Sequence, residues 1–294
     1  MERAKGILYA ALSSSTFGLA PLFTLLLLGL GYSSFEVLSY RWGVASVFLC
    51  ALALLAGRSF RLSWPELRTV FFLSLFRAAT SLSLVIAYQH IASGVASTIH
   101  FMYPLAVALA MMCFFREKGS VWVFAAIGMS IVGAVLLSLG NVDFTRGNTT
   151  LGMVSAAVSV VSYGGYIVGV RKSRAVGIDS TVLTCYVMGL GALYFIAGGL
   201  VTGGIRIETD GTAWLCILGV ALPATAVSNM TLVQAIKRIG PTLTSVFGAL
   251  EPLTAVVIGV AVFGEPFTVQ GAAGILLIVA AVTIVILHSG SRKA

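Results

Sequence analysis

The chain has 294 residues, of which 59% are hydrophobic and only 10% are charged, and its mean hydropathy is +1.03. A soluble domain carries about 25% charged residues, so this composition excludes a soluble globular protein and indicates an integral membrane protein. The net charge of +8 does not indicate nucleic-acid binding, because topology and anionic lipid explain it.

Apolar runs long enough to cross about 30 Å of hydrocarbon as helices recur along the whole chain. They predict ten transmembrane helices, over residues 6–29, 34–56, 66–89, 94–114, 120–139, 150–170, 180–202, 211–236, 241–262 and 268–288. The predicted fold class is therefore an all-α integral membrane protein with hardly any chain left for a soluble domain.

The basic residues predict the orientation. Fourteen of the 18 lysine and arginine residues lie at the termini or in alternate loops, whereas the other loops hold only Arg146 and Arg206. Cytoplasmic loops of membrane proteins carry the excess of lysine and arginine. We therefore predict that both termini are cytoplasmic and that the loops of Arg146 and Arg206 are external.

An internal repeat divides the chain. The run AALSSSTFG at 10–18 matches AAVSVVSYG at 156–164, and Pro104 and Glu117 find counterparts in Pro252 and Glu265. The two halves, 1–147 and 148–294, hold five predicted helices each, so the second half must be inverted relative to the first. Inverted repeats are typical of alternating-access carriers, which bind substrate near the bilayer midplane between the halves.

Two runs in the second half carry a family resemblance. LEPLTAVVIG at 250–259 and GEPFTVQGAAGILLIVAAV at 264–282, together with the span number and the repeat, resemble the EamA-type branch of the drug/metabolite transporter superfamily. The resemblance implies a ten-helix exporter in a bacterial inner membrane, with a central substrate site between the halves. Within the branch, the chain is most similar to amino-acid exporters, including those for aromatic amino acids.

Four prolines lie near the middles of predicted spans 1, 4, 8 and 9. They are Pro21, Pro104, Pro223 and Pro252. A proline inside a helix frees the carbonyl four residues before it, and in lipid that carbonyl needs a partner or a wet cavity. Kinking for packing alone is the alternative for any one proline, but four at similar depth favour a shared cavity.

Two charged residues lie deep inside spans. Arg77 and Glu251 are each about ten residues, or roughly 15 Å of helix, from the nearest span end, where an unpaired charge costs at least about 2.5–3.5 kcal/mol. Both should face the protein interior, either as substrate ligands or as a buried ion pair that fixes packing. Arg41 lies about two turns inside the second span, and we expect it to pair with Glu36 near the external surface.

A chamber with one guanidinium, one carboxylate and aromatic walls suits an amino acid. We predict that Arg77 binds the substrate carboxylate and that Glu251 binds the ammonium group or carries a proton. The other predicted substrate-binding residues are Ser81, Tyr88, His100 and Asn229, with Phe17, Trp42, Phe101, Tyr103 and Tyr163 as aromatic walls. The plainer alternatives are a buried, hydrogen-bonded histidine at His100 and lipid-facing aromatic residues.

Other functional classes have less support. A carrier of nucleotide sugars or phosphorylated metabolites would need several cations at mid-depth, and the sequence clearly places only Arg77 there. A membrane-embedded enzyme lacks a motif, since the histidines His90, His100 and His288 form no HExxH and no GxxxxGKT/S loop occurs. The four cysteines show no CxxC spacing. We predict a transporter that is not an enzyme, with no cofactor or metal, whose partners are a small-molecule substrate, the bilayer and possible protons, but not nucleic acid.

Overall fold

The computed structural model describes residues 2–138, 147–254, 257 and 268–288. Across these ranges every regular element is helical, which confirms the all-α prediction. The helices are α1 (Glu2–Phe17), α2 (Ala20–Gly29), α3 (Ser34–Leu55), α4 (Trp64–His90), α5 (Ser93–His100), α6 (Tyr103–Phe115), α7 (Val121–Ser138), α8 (Thr149–Lys172), α9 (Ser180–Thr202), α10 (Gly211–Ala221), α11 (Ser228–Ile239), α12 (Pro241–Val246) and α13 (Val269–His288).

Seven helical stretches in the described ranges are long and apolar enough to cross a membrane. They are Glu2–Gly29, Ser34–Leu55, Trp64–His90, Val95–Phe115, Thr149–Lys172, Ser180–Thr202 and Gly211–Ile239, and shorter apolar helices cover Val121–Leu136 and Val269–Ile284. These bounds lie within a few residues of the predicted spans. The predicted ninth span, 241–262, can be followed only to residue 254, and Glu265 lies outside the described residues.

Helix starts follow the local sequence. Ser33 precedes α3, where its hydroxyl accepts a hydrogen bond from the Glu36 N–H at 3.2 Å while its own N–H donates to Glu36 Oε2 at 2.8 Å. This reciprocal pair is a capping box, which satisfies backbone donors that have no partner inside the helix. Pro65 lies in the first turn of α4 and Pro241 begins α12, positions where a missing N–H does no harm.

Helices of the two halves pair across the molecule. The helix α3 packs along α9 and α7 along α13, whereas α4 packs along α8 and α1 along α11. Each pair thus joins one helix that lies before residue 139 to one helix that lies after residue 146. Small residues allow close approach: a Cβ at Gly191 on α9 would lie 2.0 Å from the Trp42 ring on α3.

The distribution of polarity fits a lipid environment. Large apolar side chains are exposed on the outer faces, including Val47, Leu55, Phe114, Leu193, Val201 and Leu215. Polar side chains lie inside and bond between helices: the Thr80 hydroxyl on α4 donates to Ser162 on α8 at 3.0 Å. This arrangement leaves the helix interfaces as the place for a polar site.

Candidate functional site

The first half contains two helix breaks. The helix α1 ends at Phe17 and α2 begins with Pro21 in its first turn. Likewise, α5 ends at His100 and α6 begins with Pro104 in its first turn. Each proline therefore starts a new helix, and a predicted site residue stands at the end of the helix before it.

The second half is interrupted in a different way. Pro223 lies in a π-helix, Leu222–Val227, which joins α10 to α11. The Thr225 hydroxyl donates to the Val220 carbonyl at 2.7 Å, so a side chain bonds a carbonyl in the loosened turn. A 3-10 helix, Phe247–Ala249, follows α12, and Pro252 lies three residues after it. Such irregular turns inside helices are common at functional sites.

The breaks meet in a cluster of aromatic rings. Phe17 stacks on Tyr163 with ring centroids 6.3 Å apart, and the Tyr163 ring meets His100 at 5.3 Å and Tyr103 at 4.6 Å. A Cβ at Gly18 would lie 2.6 Å from the Glu251 carbonyl oxygen. Helices from both halves thus converge on one small region, which we call the central cluster.

Arg77 packs against this cluster and is only 1% exposed. Its Nε donates to Asn229 Oδ1 at 2.8 Å and its Nη1 to Ser81 Oγ at 3.3 Å. The guanidinium carbon is 5.1 Å from the Tyr163 ring centroid and 5.4 Å from that of Phe17, within the range of cation–π attraction. All these partners are neutral.

Glu251 contacts the cluster through Tyr103 and is 9% exposed. The Tyr103 hydroxyl donates to its Oε1 at 3.2 Å. The ion pairs found among the described residues, Lys5–Glu2, Arg58–Asp179, Arg206–Glu36 and Arg238–Glu2, include neither Arg77 nor Glu251. The alternative of a buried Arg77–Glu251 ion pair is therefore not the arrangement that the structure adopts.

The expected pairing of Arg41 with Glu36 is wrong. Glu36 Oε1 instead accepts from the backbone N–H and the Nε of Arg206, at 3.1 and 3.0 Å. Arg41 is 4% exposed, and its Nε donates to Thr225 Oγ1 at 2.6 Å. The reason is angular: five residues along a helix turn the side chain by about 140°, so Glu36 faces the end loop while Arg41 faces the central cluster.

Depth was the signal that could have identified Arg41. It lies eight residues after the Ser33 cap, which is about 12 Å along the helix and close to the middle of a hydrocarbon core about 30 Å thick. The sequence interpretation placed Arg41 near the surface because Glu36 on the same helix could form an ion pair with it.

The remaining predicted residues have varied surroundings. His100 Nδ1 lies 2.8 Å from Ser159 Oγ, Tyr88 Oη lies 3.4 Å from Ser97 Oγ, and Phe101 meets the Tyr103 ring at 6.0 Å. Trp42 is buried, with its ring centroid 5.1 Å from that of Phe195 and 6.0 Å from the Arg77 guanidinium carbon. On α4, the predicted residue Ser81 accepts a hydrogen bond from Arg77 Nη1 at 3.3 Å, whereas Ser74 Oγ lies 2.9 Å from Tyr194 Oη.

Several buried polar atoms in and around the cluster have no hydrogen-bond partner. They are Arg41 Nη2, Trp42 Nε1, His100 Nε2 and Tyr166 Oη. Buried polar groups in folded proteins are nearly always hydrogen-bonded, so such atoms need an explanation. They are donors and acceptors that a bound polar ligand could engage.

Other candidate sites are weaker. No group of three or more His, Cys, Asp or Glu side chains able to hold a metal ion occurs in the described part of the chain. A pocket between α6, α7 and α12 is lined by residues such as Met111, Glu117, Lys118, Trp122 and Leu243. It contains none of the central-cluster residues.

Comparisons with known proteins agree with this architecture. The model of the EamA-like transporter family matches the chain twice, over residues 4–139 and 150–287. The uncharacterized transporter YojE of Bacillus subtilis (strain 168) is 27% identical over 283 residues, which cover 91% of this chain and 88% of that protein. An uncharacterized transporter of Archaeoglobus fulgidus is 24% identical over 217 residues, which cover 74% of this chain and 76% of that protein.

A solved crystal structure supports the fold alone. It matches with a TM-score of 0.79 at 19% sequence identity, over 100% of this chain and 99% of that one.

Proposed function

Because the chain belongs to the EamA-like transporter family, we propose that it is a secondary transporter that moves amino acids or similar small metabolites out of the cell by alternating access. The observation that carries the choice of substrate is Arg77. This guanidinium is buried, has only neutral partners and lies against the faces of aromatic rings. A charge held in this way is suited to a carboxylate that arrives and leaves with the substrate.

The surroundings of Arg77 favour an amphiphilic substrate. Asn229 accepts from Nε and thereby fixes the plane of the guanidinium, which suits the bidentate geometry of a carboxylate. The rings of Phe17, Tyr163 and Trp42 offer apolar surface beside it. In this proposal those rings pack the apolar part of the substrate, which the sequence interpretation took to be an apolar or aromatic side chain.

Glu251 supplies the opposite charge in the proposed site. Tyr103 holds the carboxylate by one hydrogen bond, and the Tyr103 ring lies 4.6 Å from that of Tyr163, which in turn contacts Arg77. The two charged side chains are therefore connected through the rings of Tyr163 and Tyr103. In this proposal Glu251 binds the ammonium group of the amino acid, and proton carriage by Glu251 is the alternative role.

The helix breaks supply the means for alternating access. Broken helices near the midplane of inverted-repeat carriers line the substrate site, and the halves rock around it. In this proposal the halves 1–147 and 148–294 move relative to each other, with Phe17, His100 and Thr225 at hinge positions beside the substrate. The bacterial inner membrane and cytoplasmic termini belong to the same proposal.

A carrier of phosphorylated metabolites or nucleotide sugars is the second candidate. The observation that favours it is Arg41, because the central cluster holds two arginines rather than one. Glu251 argues against it, since a buried carboxylate close to a phosphoryl group is repelled.

Counterflow in proteoliposomes tests the proposal. Vesicles loaded with an unlabelled amino-acid mixture and diluted into one radiolabelled amino acid should accumulate label transiently, and empty vesicles should not. Competition by sugar phosphates but by no amino acid would favour the second candidate. Conversion of the label into a new chemical species would indicate an enzyme and overturn the proposal.

A further inference from the structure

Two arginines from different helices face the same ring. The guanidinium carbons of Arg41 on α3 and Arg77 on α4 are 5.7 and 5.4 Å from the Phe17 ring centroid. Because both distances are measured to the same ring centroid, the distance between the two guanidinium carbons is no greater than their sum. A buried pair of like charges at this range repels unless an anion lies with them.

The same stretch of helix holds both arginines. Thr225 Oγ1 accepts from Arg41 Nε at 2.6 Å, and Asn229 Oδ1 accepts from Arg77 Nε at 2.8 Å. Thr225 and Asn229 are one turn apart, about 6 Å along the axis, and Asn229 Nδ2 donates to the Thr225 carbonyl at 2.7 Å. The Nε acceptors of the two guanidinium groups thus lie on neighbouring turns of one helical segment.

The hydrogen bonds to Thr225 and Asn229 both come from Nε of the arginine, and a carboxylate can bind the two Nη groups at the end of the guanidinium. Arg41 Nη2 is buried and has no hydrogen-bond partner. Each guanidinium is therefore oriented through Nε by a neutral acceptor, and although Arg77 Nη1 also donates to Ser81 Oγ, both guanidinium groups have further N–H donors for a ligand. Held in this way, Arg41 resembles Arg77 and should bind the same chemical group.

Charge also favours an acidic ligand. The central cluster contains two guanidinium groups and one carboxylate, and no ion pair among the described residues includes any of the three. A neutral zwitterion would leave one arginine uncompensated, whereas a substrate with one extra carboxylate would neutralise it.

We propose that the substrate carries two carboxylate groups, one bound by Arg77 and the other by Arg41, so that an acidic amino acid fits the three charges with its ammonium group toward Glu251. This assignment rests on the proposed transport of amino acids and narrows it. It changes the expected side chain from apolar or aromatic to one that ends in a carboxylate, with its methylene groups against the Phe17 ring.

Glutamate and glutamine form a matched pair of probes, because they differ in little except the charge of the terminal group. In counterflow with the wild-type protein, we expect glutamate to exchange about tenfold or more faster than glutamine at equal low concentration. Arg41→Gln should remove this preference by slowing glutamate exchange while glutamine exchange is retained. Arg68→Gln, an exposed arginine on α4, is the control and should keep the preference.

A second variant keeps the assignment testable if the Arg41→Gln protein does not insert into the membrane. Thr225→Val keeps the charge of Arg41 but removes its Nε acceptor, so the preference for glutamate should fall. Wild-type protein that exchanges glutamine or phenylalanine as well as glutamate, or an Arg41→Gln protein that still prefers glutamate, would overturn the two-carboxylate assignment and leave amino-acid transport standing. Exchange of no amino acid at all would overturn the proposed function as well.

Discussion

A Cβ at Gly248 would lie 1.7 Å from the hydroxyl oxygen of Tyr103, so the tyrosine of α6 rests directly on the backbone of the 3-10 helix Phe247–Ala249. The same hydroxyl donates to Glu251 at 3.2 Å. The absence of a side chain at Gly248 is what lets the tyrosine reach the carboxylate. Two residues that the internal repeat relates, Pro104 and Pro252, stand beside this contact.

We expect Gly248→Ala to displace Tyr103 and to lower both stability and transport. Overpacking of this kind destabilises by about 1–3 kcal/mol, which a lower melting temperature in detergent would register. Gly128→Ala is the control, because nothing lies within 4 Å of a Cβ there. An unchanged melting temperature and unchanged exchange in Gly248→Ala would show that Tyr103 does not need this position.

The packing of α3 on α9 leads to a second prediction about overpacking. A Cβ at Gly191 would lie 2.0 Å from the Trp42 ring, and Trp42 is fully buried, so the ring has little room to move. Gly191→Ala should destabilise the protein by about 1–3 kcal/mol. Gly43→Ala on α3, where the space is open, should be neutral or slightly stabilising, since alanine favours a helix more than glycine does. Equal melting temperatures for the two variants would contradict the close approach.

For Arg77, we expect Arg77→Gln to abolish amino-acid exchange while the protein still inserts and remains monodisperse. Arg77→Lys should recover little, because a point charge lacks the planar fork that Asn229 orients. Binding and counterflow of radiolabelled substrate measure this, with Arg68→Gln as the matched control. Wild-type affinity in either Arg77 variant would assign the residue to packing alone.

The sequence allowed prediction of features that depend on hydropathy and depth. The membrane class, the all-α fold and most helix bounds followed from apolar run length, and the burial of Arg77 and Glu251 followed from counting residues. What each side chain touches depends on rotation about a helix and on the neighbouring helix, which run length does not contain. The Arg41–Thr225 hydrogen bond and the Gly248–Tyr103 contact were missed for this reason.

The orientation of the protein in the membrane can be tested directly. Basic residues meet at one end, where Arg58 pairs with Asp179 at 3.6 Å and Arg171 donates to the Lys237 carbonyl at 2.7 Å. Arg206 contacts Glu36 in another loop region. We expect single cysteines at Arg58 and Arg171 to be protected from an impermeant thiol reagent in intact cells, and a cysteine at Arg206 to be labelled.

The labelling needs a background that lacks the native cysteines, since Cys113 is exposed. Permeabilised cells are the control, in which all three positions should react. External labelling at both basic loops would contradict the proposed cytoplasmic termini, whereas labelling of the two basic loops on opposite sides of the membrane would contradict the inverted repeat.

Glu251 can serve either of two mechanisms, which are binding of the substrate ammonium group and carriage of a proton. Tyr103 is its hydrogen-bond partner, and no ion pair among the described residues engages it, so its carboxylate is available either to an ammonium group or to a proton. We expect Glu251→Gln to lower amino-acid exchange at equal pH by about ten- to a hundredfold, because a hydrogen bond to a charged group contributes about 1.5–3 kcal/mol. Glu117→Gln, an exposed glutamate near α6, should exchange like the wild type.

Assays with and without an imposed pH gradient separate the two mechanisms. If Glu251 only carries the coupling proton, Glu251→Gln should keep exchange at equal pH and lose its response to the gradient, because an amide cannot change its charge. If Glu251 binds the ammonium group, Glu251→Gln should slow the exchange of glutamate strongly. The exchange of succinate, which has two carboxylates but no ammonium group, should be slowed far less. Unchanged affinity, exchange and gradient response together would remove Glu251 from both roles and leave it as a packing partner of Tyr103.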